Sequence, residues 1–159
     1  MLLAPRGSAR QDILSVLRDH GIENSRVEFV EQTPWHNYLE YYRRVDIVLD
    51  TLPYNGHTTS LDALWMGAPV VTRVGHTVVG RAGWSHLSNL QLTELAAPED
   101  DQFVKIATEL AGDLSRLTEL RRTLRQRMRN SPLTDAGRFA RNVEAAYRSM
   151  WKTWTGNSA

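Results

Sequence analysis

Strand-like segments alternate with single helix-like segments along this chain, and that alternation constrains the fold more than any other feature. Strands joined by single helices need crossover connections, which produce a parallel sheet with helices on both faces. The sequence therefore predicts an α/β fold with a doubly wound parallel sheet. The five predicted strands are Met1–Pro5, Arg26–Val30, Asp46–Asp50, Pro69–Arg73 and Glu94–Ala96.

Apolar spacing and end signals predict the helices. Ser8 is a candidate N-cap for the first helix, and Thr33 followed by Pro34 is typical of a helix start. The predicted helices are Ala9–His20, Pro34–Arg44, Thr58–Met66, Val78–Leu90, 98–111, Leu114–Arg129 and Asp135–Trp154.

The strands end before residue 114, which predicts one lobe over 1–159 with an α/β core of 1–113. We expect the helices of 114–159 to pack on that core. Trp151 and Trp154 lie three residues apart near the end of the chain, a spacing that predicts a last helix docked back on the body.

Composition excludes several classes of protein. The 159 residues are 42% hydrophobic and 23% charged, as in an ordinary soluble domain. The chain has no cysteine, which excludes disulfide scaffolds, thiolate metal sites and cysteine nucleophiles. No apolar run approaches the roughly 20 residues that span a bilayer, and the first residues lack a signal-peptide pattern. We expect a cytoplasmic protein with no membrane partner.

Charge is distributed unevenly. Residues 1–113 carry 9 basic and 15 acidic side chains, whereas residues 114–159 carry 10 basic and 3 acidic ones. A basic segment of this kind can meet nucleic acid or anionic lipid. Alternatively, these charges form solvated helix faces and pair with the acidic body. The helical spacing of the arginines favours the second interpretation, and we expect no nucleic-acid partner.

The strongest candidate site follows the predicted strand Asp46–Asp50. Ligands of open parallel sheets bind beyond the carboxyl ends of the strands. Asn55 and Gly56 permit a tight turn there, and His57, Thr58 and Thr59 lead into a helix. The first backbone N–H groups of that helix and its dipole suit a phosphate or diphosphate. Asp62 lies one turn further on, where a carboxylate can accept hydrogen bonds from sugar hydroxyls.

A purely structural interpretation of the same segment stays open. In this interpretation none of these residues binds a ligand. Thr58 or Thr59 is an N-cap, Asp62 is a first-turn acid that compensates the helix dipole, and His57 is an ordinary loop histidine. The segment has neither the Gly-x-Gly-x-x-Gly dinucleotide fingerprint nor a Walker motif. The five histidines show no metal-ligand spacing, so we expect no metal and no cofactor.

Two aromatic side chains lie one helical step apart at the predicted mouth of the sheet. Trp35 and Tyr38 can stack on a nucleobase, or they can cover neighbouring apolar surface. The sequence leaves both interpretations open.

The chain resembles the O-linked N-acetylglucosamine transferase family, including its bacterial, TPR-linked relatives. The run Asn55-Gly-His-Thr-Thr-Ser-Leu-Asp62 is fairly specific to that family, and the likeness continues nearly to the end of the chain. The other segments that carry it are 46–54, 63–72, Gly75, Arg81-Ala-Gly, Leu120–Met128, Ser131-Pro-Leu and Met150–Trp154.

The resemblance implies the C-terminal lobe of a two-lobed GT-B glycosyltransferase that uses UDP-N-acetylglucosamine without a metal and modifies Ser or Thr of a protein acceptor. It implies that His57, Thr58 and Thr59 contact the diphosphate region, that Asp62 holds the ribose, and that Thr33 and Pro34 line the uracil pocket. The family's animal members carry a lysine and a histidine where this chain has Trp35 and Tyr38.

The family's first lobe, TPR repeats and catalytic lysine correspond to sequence upstream of Met1. A GT-B site is the cleft between two lobes, so we expect this chain alone to bind a nucleotide weakly and to transfer little or nothing. Two alternatives to this hypothesis stay open. In the first, the chain is a stand-alone, non-catalytic nucleotide-binding module. In the second, it is an interaction domain whose basic helices bind an acidic partner.

Overall fold

All the strands of the computed structural model pair in parallel. The structure describes residues 1–4 and 6–156, and these contain five strands and seven α-helices. The chain divides into two units, Met1–Val45 and Asp46–Ala159, and each is described by itself. The parallel arrangement with intervening helices confirms the predicted α/β class.

The first unit is built on a two-stranded parallel sheet. Strand β1 (Leu2–Leu3) pairs with β2 (Phe29–Val30), and Leu2 is in register with Phe29. Helix α1 (Ser8–Asp19) connects them, and α2 (Trp35–Tyr41) follows β2 and continues as a 3₁₀ turn.

The second unit holds a three-stranded parallel sheet in the order β3 (Val48–Asp50), β4 (Val70–Arg73), β5 (Ala96–Ala97). Each of the five predicted strands has a shorter counterpart, and the five are distributed over two separate sheets. Pro5 of the first predicted strand lies outside the described residues, and the fifth strand is displaced to Ala96–Ala97 because Glu94 and Leu95 belong to a 3₁₀ turn. The helices of this unit are α3 (Thr58–Trp65), α4 (Ala82–Asn89), α5 (Asp100–Gly112), α6 (Leu114–Arg129) and α7 (Ala136–Gly156).

The core of the second unit surrounds the middle strand. Val70 and Val71 of β4 are almost completely buried, because neighbouring strands and helices cover both faces of the sheet. Helix α6 adds Leu120, Leu124 and Met128, which recur every four residues and so face one side. That side packs against α3 and α5.

Four of the basic residues of α6 contact other elements of the second unit. Arg121 forms an ion pair with Asp46 at 3.7 Å, and Arg116 forms one with Glu94 at 3.3 Å. Two further arginines of this helix place their guanidinium groups 5.5 Å from the centre of the Trp65 ring. The two ion pairs agree with the second interpretation of the basic segment, in which its charges pair with the acidic body.

Two predicted helix caps are wrong. Gly7 precedes α1 with a φ of 117°, and Ser8 is the first helical residue rather than the cap. Pro34, with an extended ψ of 146°, is the N-cap of α2, so the helix begins one residue later than expected and Thr33 lies outside it. Neither helix start has a side-chain cap hydrogen bond.

The expected docking of the last helix is also wrong. Trp151 is 67% exposed and Trp154 is 74% exposed, and α7 has no buried residue. The spacing of the two tryptophans predicted docking, but both side chains are mostly exposed. The single lobe over 1–159 stays a prediction. No helix in the described ranges 1–4 and 6–156 is long and apolar enough to cross a bilayer.

Candidate functional site

A buried carboxylate organises the carboxyl edge of the three-stranded sheet. Asp50, the last residue of β3, is only 5% exposed. Its Oδ2 accepts a hydrogen bond from the Thr72 hydroxyl at 2.7 Å, and its Oδ1 accepts one from the Gly56 N–H at 2.6 Å. Burial raises the pKa of Asp50, and the two hydrogen bonds oppose that rise. The carboxylate thereby joins β3, β4 and the loop that leads to α3.

Asn55 connects that loop to the loop that follows β4. It is fully buried, and its Nδ2 donates to the carbonyl oxygens of Thr51 and Arg73, each at 3.2 Å. Its backbone N–H donates to the carbonyl of Val79 at 3.1 Å. Asn55 Oδ1 is buried and has no hydrogen-bond partner among the described residues. All the contacts of Asn55 are internal, so its predicted contact with a ligand stays a prediction.

Gly56 brings the backbone close to the first turn of α3. A Cβ at this position would overlap the hydroxyls of Ser60 and Thr59, so a larger residue would require these two side chains to rotate away. Helix α3 begins at Thr58, and its N-cap is His57 without a side-chain cap bond. The structural interpretation in which Thr58 or Thr59 is the N-cap is therefore wrong. The first N–H groups of α3 have no acceptor within the helix, as helix geometry requires.

The structure thus places six of the predicted site residues on one segment of the second unit. Asp62 is half-buried on α3, one turn after Thr58. The His57 ring stacks on the Tyr54 ring with their centres 5.3 Å apart and their planes 28° from parallel. The six residues are Asn55, Gly56, His57, Thr58, Thr59 and Asp62.

The other four predicted site residues belong to the first unit. Trp35 is 68% exposed, so it covers little neighbouring apolar surface. Tyr38 packs edge-on against Tyr42, with ring centres 5.3 Å apart, and their hydroxyls are hydrogen-bonded. The Thr33 hydroxyl oxygen is buried and makes no hydrogen bond within residues 1–4 and 6–156. Pro34 forms the N-cap of α2. Their contact with a nucleobase stays a prediction.

Sequence reasoning missed a cleft of about 640 Å³ beside His57. Its other lining residues come from the start and one face of α4 and include Arg81, Trp84, Ser85 and His86. Burial lowers the pKa of His86, and the nearby His57 lowers it further. Arg81 lies after the predicted strand Pro69–Arg73, but nothing in the sequence places α4 against His57.

The described residues contain no group of three or more His, Asp or Glu side chains that could hold a metal ion. That the site works without a metal ion stays a prediction.

The fold and the site define an α/β protein with polar residues gathered at the carboxyl ends of parallel strands. The chain belongs to glycosyl transferase family 41, whose sequence profile matches residues 2–143. This confirms the resemblance drawn from the Asn55–Asp62 run.

Curated relatives show the same relationship. A probable UDP-N-acetylglucosamine–peptide N-acetylglucosaminyltransferase SPINDLY from Petunia hybrida is 40% identical over 148 residues, which are 92% of this chain and 16% of the relative. A UDP-N-acetylglucosamine–peptide N-acetylglucosaminyltransferase from Caenorhabditis elegans is 30% identical over 136 residues, 86% of this chain and 12% of the relative. The chain therefore spans a small part of the proteins that it matches.

A solved structure confirms the fold. A mutant O-GlcNAc transferase from Thermobaculum terrenum superposes with a TM-score of 0.90 at 38% identity, covering 97% of this chain and 30% of that one. The likeness covers nearly all of this chain and about a third of that structure.

Proposed function

We propose that this chain is the UDP-sugar-binding half of a metal-independent protein O-glycosyltransferase of the GT-B type. The donor is UDP-N-acetylglucosamine, and the acceptor is a Ser or Thr hydroxyl of a protein. The observation that carries the proposal is the close approach of Gly56 to the first turn of α3, at the carboxyl end of β3, in a chain of family 41. The names of the relatives supply the donor and the peptide acceptor.

The diphosphate lies at the start of α3 in this proposal. The first N–H groups of a helix and the positive end of its dipole attract anions. His57, Thr58 and Thr59 add an imidazole and two hydroxyls at that position. Fixed donors of this kind stabilise the charge that develops on a departing nucleoside diphosphate, which is the task that a metal ion performs elsewhere.

The nucleoside is held by the remaining residues. Asp62 accepts hydrogen bonds from the ribose hydroxyls, while Asn55 and Gly56 shape the loop that approaches the diphosphate. Thr33 and Pro34 line the uracil pocket, with Trp35 and Tyr38 available to stack on the base. The exposed indole of Trp35 and the unpartnered hydroxyl of Thr33 within the described residues support this assignment.

Transfer needs a second lobe in this proposal. The chain matches only 30% of the solved relative's chain, and an isolated half-site can neither exclude water nor position an acceptor. The protein acceptor is bound through the TPR and N-terminal part of the complete enzyme, in the cytoplasm, and no cofactor takes part. The chain alone binds the nucleotide and catalyses no transfer.

Calorimetry on the purified chain tests the proposal. We expect UDP and UDP-N-acetylglucosamine to bind, with GDP and ADP binding more weakly, because the pocket recognises uracil. A matched assay for sugar transfer to a peptide should give no product with the chain alone. Failure of UDP to bind, or equal binding of the three nucleoside diphosphates, contradicts the proposal. Sugar transfer by the chain alone contradicts the part that concerns the second lobe.

A further inference from the structure

We propose that Arg81 is a second contact for the diphosphate and supplies the cation of this half-site. This inference rests on the proposed function, because it needs a diphosphate at the start of α3. Arg81 lies at the start of a different helix, α4, and is not part of the sequence run Asn55–Asp62.

The cleft beside His57 has one permanent cation in its lining, the guanidinium of Arg81. Among its lining residues are the guanidinium of Arg81 and the imidazoles of His57 and His86, and no carboxylate lines it. His57 belongs both to this cleft and to the N-cap of α3. An anion bound at the start of α3 therefore lies at the edge of the same cleft.

The Arg81 guanidinium is available for a ligand. It makes no ion pair or hydrogen bond with any residue in the described ranges, and the side chain is exposed. Arg73, at the end of β4, contrasts with it, since that guanidinium pairs with Asp100 at 2.6 Å and with backbone carbonyls. The guanidinium of Arg73 is thus occupied by contacts within the protein, whereas that of Arg81 is not.

Backbone hydrogen bonds fix Arg81 relative to the His57 loop. The Gly75 N–H donates to the Gly80 carbonyl at 2.6 Å, which closes the loop after β4. The Asn55 N–H donates to the Val79 carbonyl at 3.1 Å, which ties that loop to the segment carrying His57. Arg81 follows directly as the N-cap of α4.

The start of α4 is also fixed against the sheet. A Cβ at Gly83 would overlap Thr72 and Asp50, so the backbone of α4 lies directly on the carboxyl edge of β3 and β4. Arg81 and the start of α3 therefore belong to one rigid frame. A guanidinium presents several N–H donors in a planar fork that matches phosphate oxygens. Its positive charge adds to the attraction that the positive end of the α3 dipole exerts on an anion.

An NMR titration tests the assignment, because it measures weak binding by the purified chain. The ligands are UDP and uridine, and the proteins are the wild type, Arg81→Gln, Arg81→Lys and the control Arg127→Gln. Arg127 is an exposed arginine of α6, so its substitution removes the same charge elsewhere on the second unit. We expect Arg81→Gln to weaken UDP binding about tenfold or more, with uridine binding unchanged. Arg81→Lys should retain an intermediate affinity for UDP, and Arg127→Gln should match the wild type.

The wild type supplies a second measurement that does not depend on a variant. The Arg81 Nε–H resonance should shift on addition of UDP and of inorganic pyrophosphate, but not of uridine. If UDP binds to the wild type while Arg81→Gln behaves like Arg127→Gln and the Arg81 resonance is unmoved, the assignment of Arg81 is wrong and the proposed function stands. If the wild type does not bind UDP, both are wrong.

Discussion

Asp50 and Thr72 are register partners across β3 and β4, and the Thr72 hydroxyl donates a 2.7 Å hydrogen bond to the Asp50 carboxylate. Both side chains are almost completely buried. The second carboxylate oxygen accepts the Gly56 N–H. One buried acid therefore holds two strand ends and the turn that starts α3, so the geometry of the candidate site depends on it.

Thr72→Val should destabilise the second unit. Valine has nearly the same shape, but it leaves Asp50 Oδ2 buried without its donor, which costs about 1–3 kcal/mol. Urea unfolding measures the change. Thr118→Val is the matched control, because the Thr118 hydroxyl bonds only to a carbonyl of its own exposed helix turn. Equal stability of the two variants would show that the Asp50–Thr72 bond contributes nothing.

The stability of the protein should also depend on the ionisation of Asp50. Burial raises the pKa of Asp50 in the folded state. The carboxyl group of Asp50 therefore binds its proton more tightly in the folded protein than in the unfolded chain. The resulting contribution to the free energy of unfolding is complete below the ordinary pKa of an aspartate. It is lost as the pH rises through the raised pKa of the folded state. The wild type should therefore lose stability relative to Asp50→Asn as the pH is raised through that window.

Urea unfolding of the wild type and of Asp50→Asn at a series of pH values measures this difference. The exposed Asp12→Asn is the matched control. A constant difference between the wild type and Asp50→Asn over the whole series would contradict the raised pKa.

Gly83→Ala should prevent the normal packing of α4. The added Cβ would overlap the Thr72 hydroxyl and the Asp50 carboxylate, neither of which can move without breaking its hydrogen bonds. Overpacking at such a position costs about 1–3 kcal/mol or more. At Gly112, near the end of α5, a Cβ meets no atom within 4 Å, so Gly112→Ala should be neutral or stabilising. Thermal unfolding compares the two, and a tolerated Gly83→Ala would contradict the observed approach of α4 to the sheet.

Local signals explain why much of this architecture could be predicted from the sequence. The helix predicted over Thr58–Met66 is followed by Gly67, whose φ of 87° is a conformation that glycine adopts readily at a helix end. Asn55 and Gly56 were expected in a turn, and both lie in the loop before α3. Such residues act through their own backbone, so their effect can be predicted without knowledge of the rest of the fold.

The cleft beside His57 could not be predicted in this way. It exists because α4 starts against the ends of β3 and β4, and that placement depends on contacts between segments far apart in sequence, such as Asn55 with Val79. The wrong cap at Thr33 has a local cause, since the extended ψ of Pro34 delays the helix by one residue. The aromatic spacing in α7 specifies an apolar face but not what covers it.

The exposure of α7 leads to a test of stability. Trp151 is 67% exposed, so Trp151→Ala should change the free energy of unfolding of the chain by less than about 0.5 kcal/mol. A docked tryptophan would instead cost about 3–5 kcal/mol on the same substitution. Leu124→Ala, at a fully buried position of α6, is the positive control for a loss of that size. A large loss with Trp151→Ala would show that α7 packs on the body in solution.

The ribose contact of Asp62 can be separated from the fold by changing the ligand as well as the protein. In the proposed site, Asp62→Ala weakens UDP binding by about 1–3 kcal/mol, because a hydrogen bond between the ribose and a carboxylate is lost. The wild type should bind 2′-deoxy-UDP more weakly than UDP, whereas Asp62→Ala should bind the two alike. Such a cycle isolates the interaction between one side chain and one hydroxyl.

His57→Ala provides the complementary test at the diphosphate. In the proposed site the imidazole faces the phosphates and not the ribose. The substitution should therefore weaken UDP binding by about 1–3 kcal/mol and leave the difference between UDP and 2′-deoxy-UDP unchanged. His76→Ala is the matched control, since His76 is exposed in the loop after β4 and does not line the cleft. Calorimetry measures the affinities of UDP and 2′-deoxy-UDP for the wild type, Asp62→Ala, His57→Ala and His76→Ala. A loss of ribose discrimination in His57→Ala would mean that the variant has disturbed α3 as a whole, and an unchanged UDP affinity would remove His57 from the site.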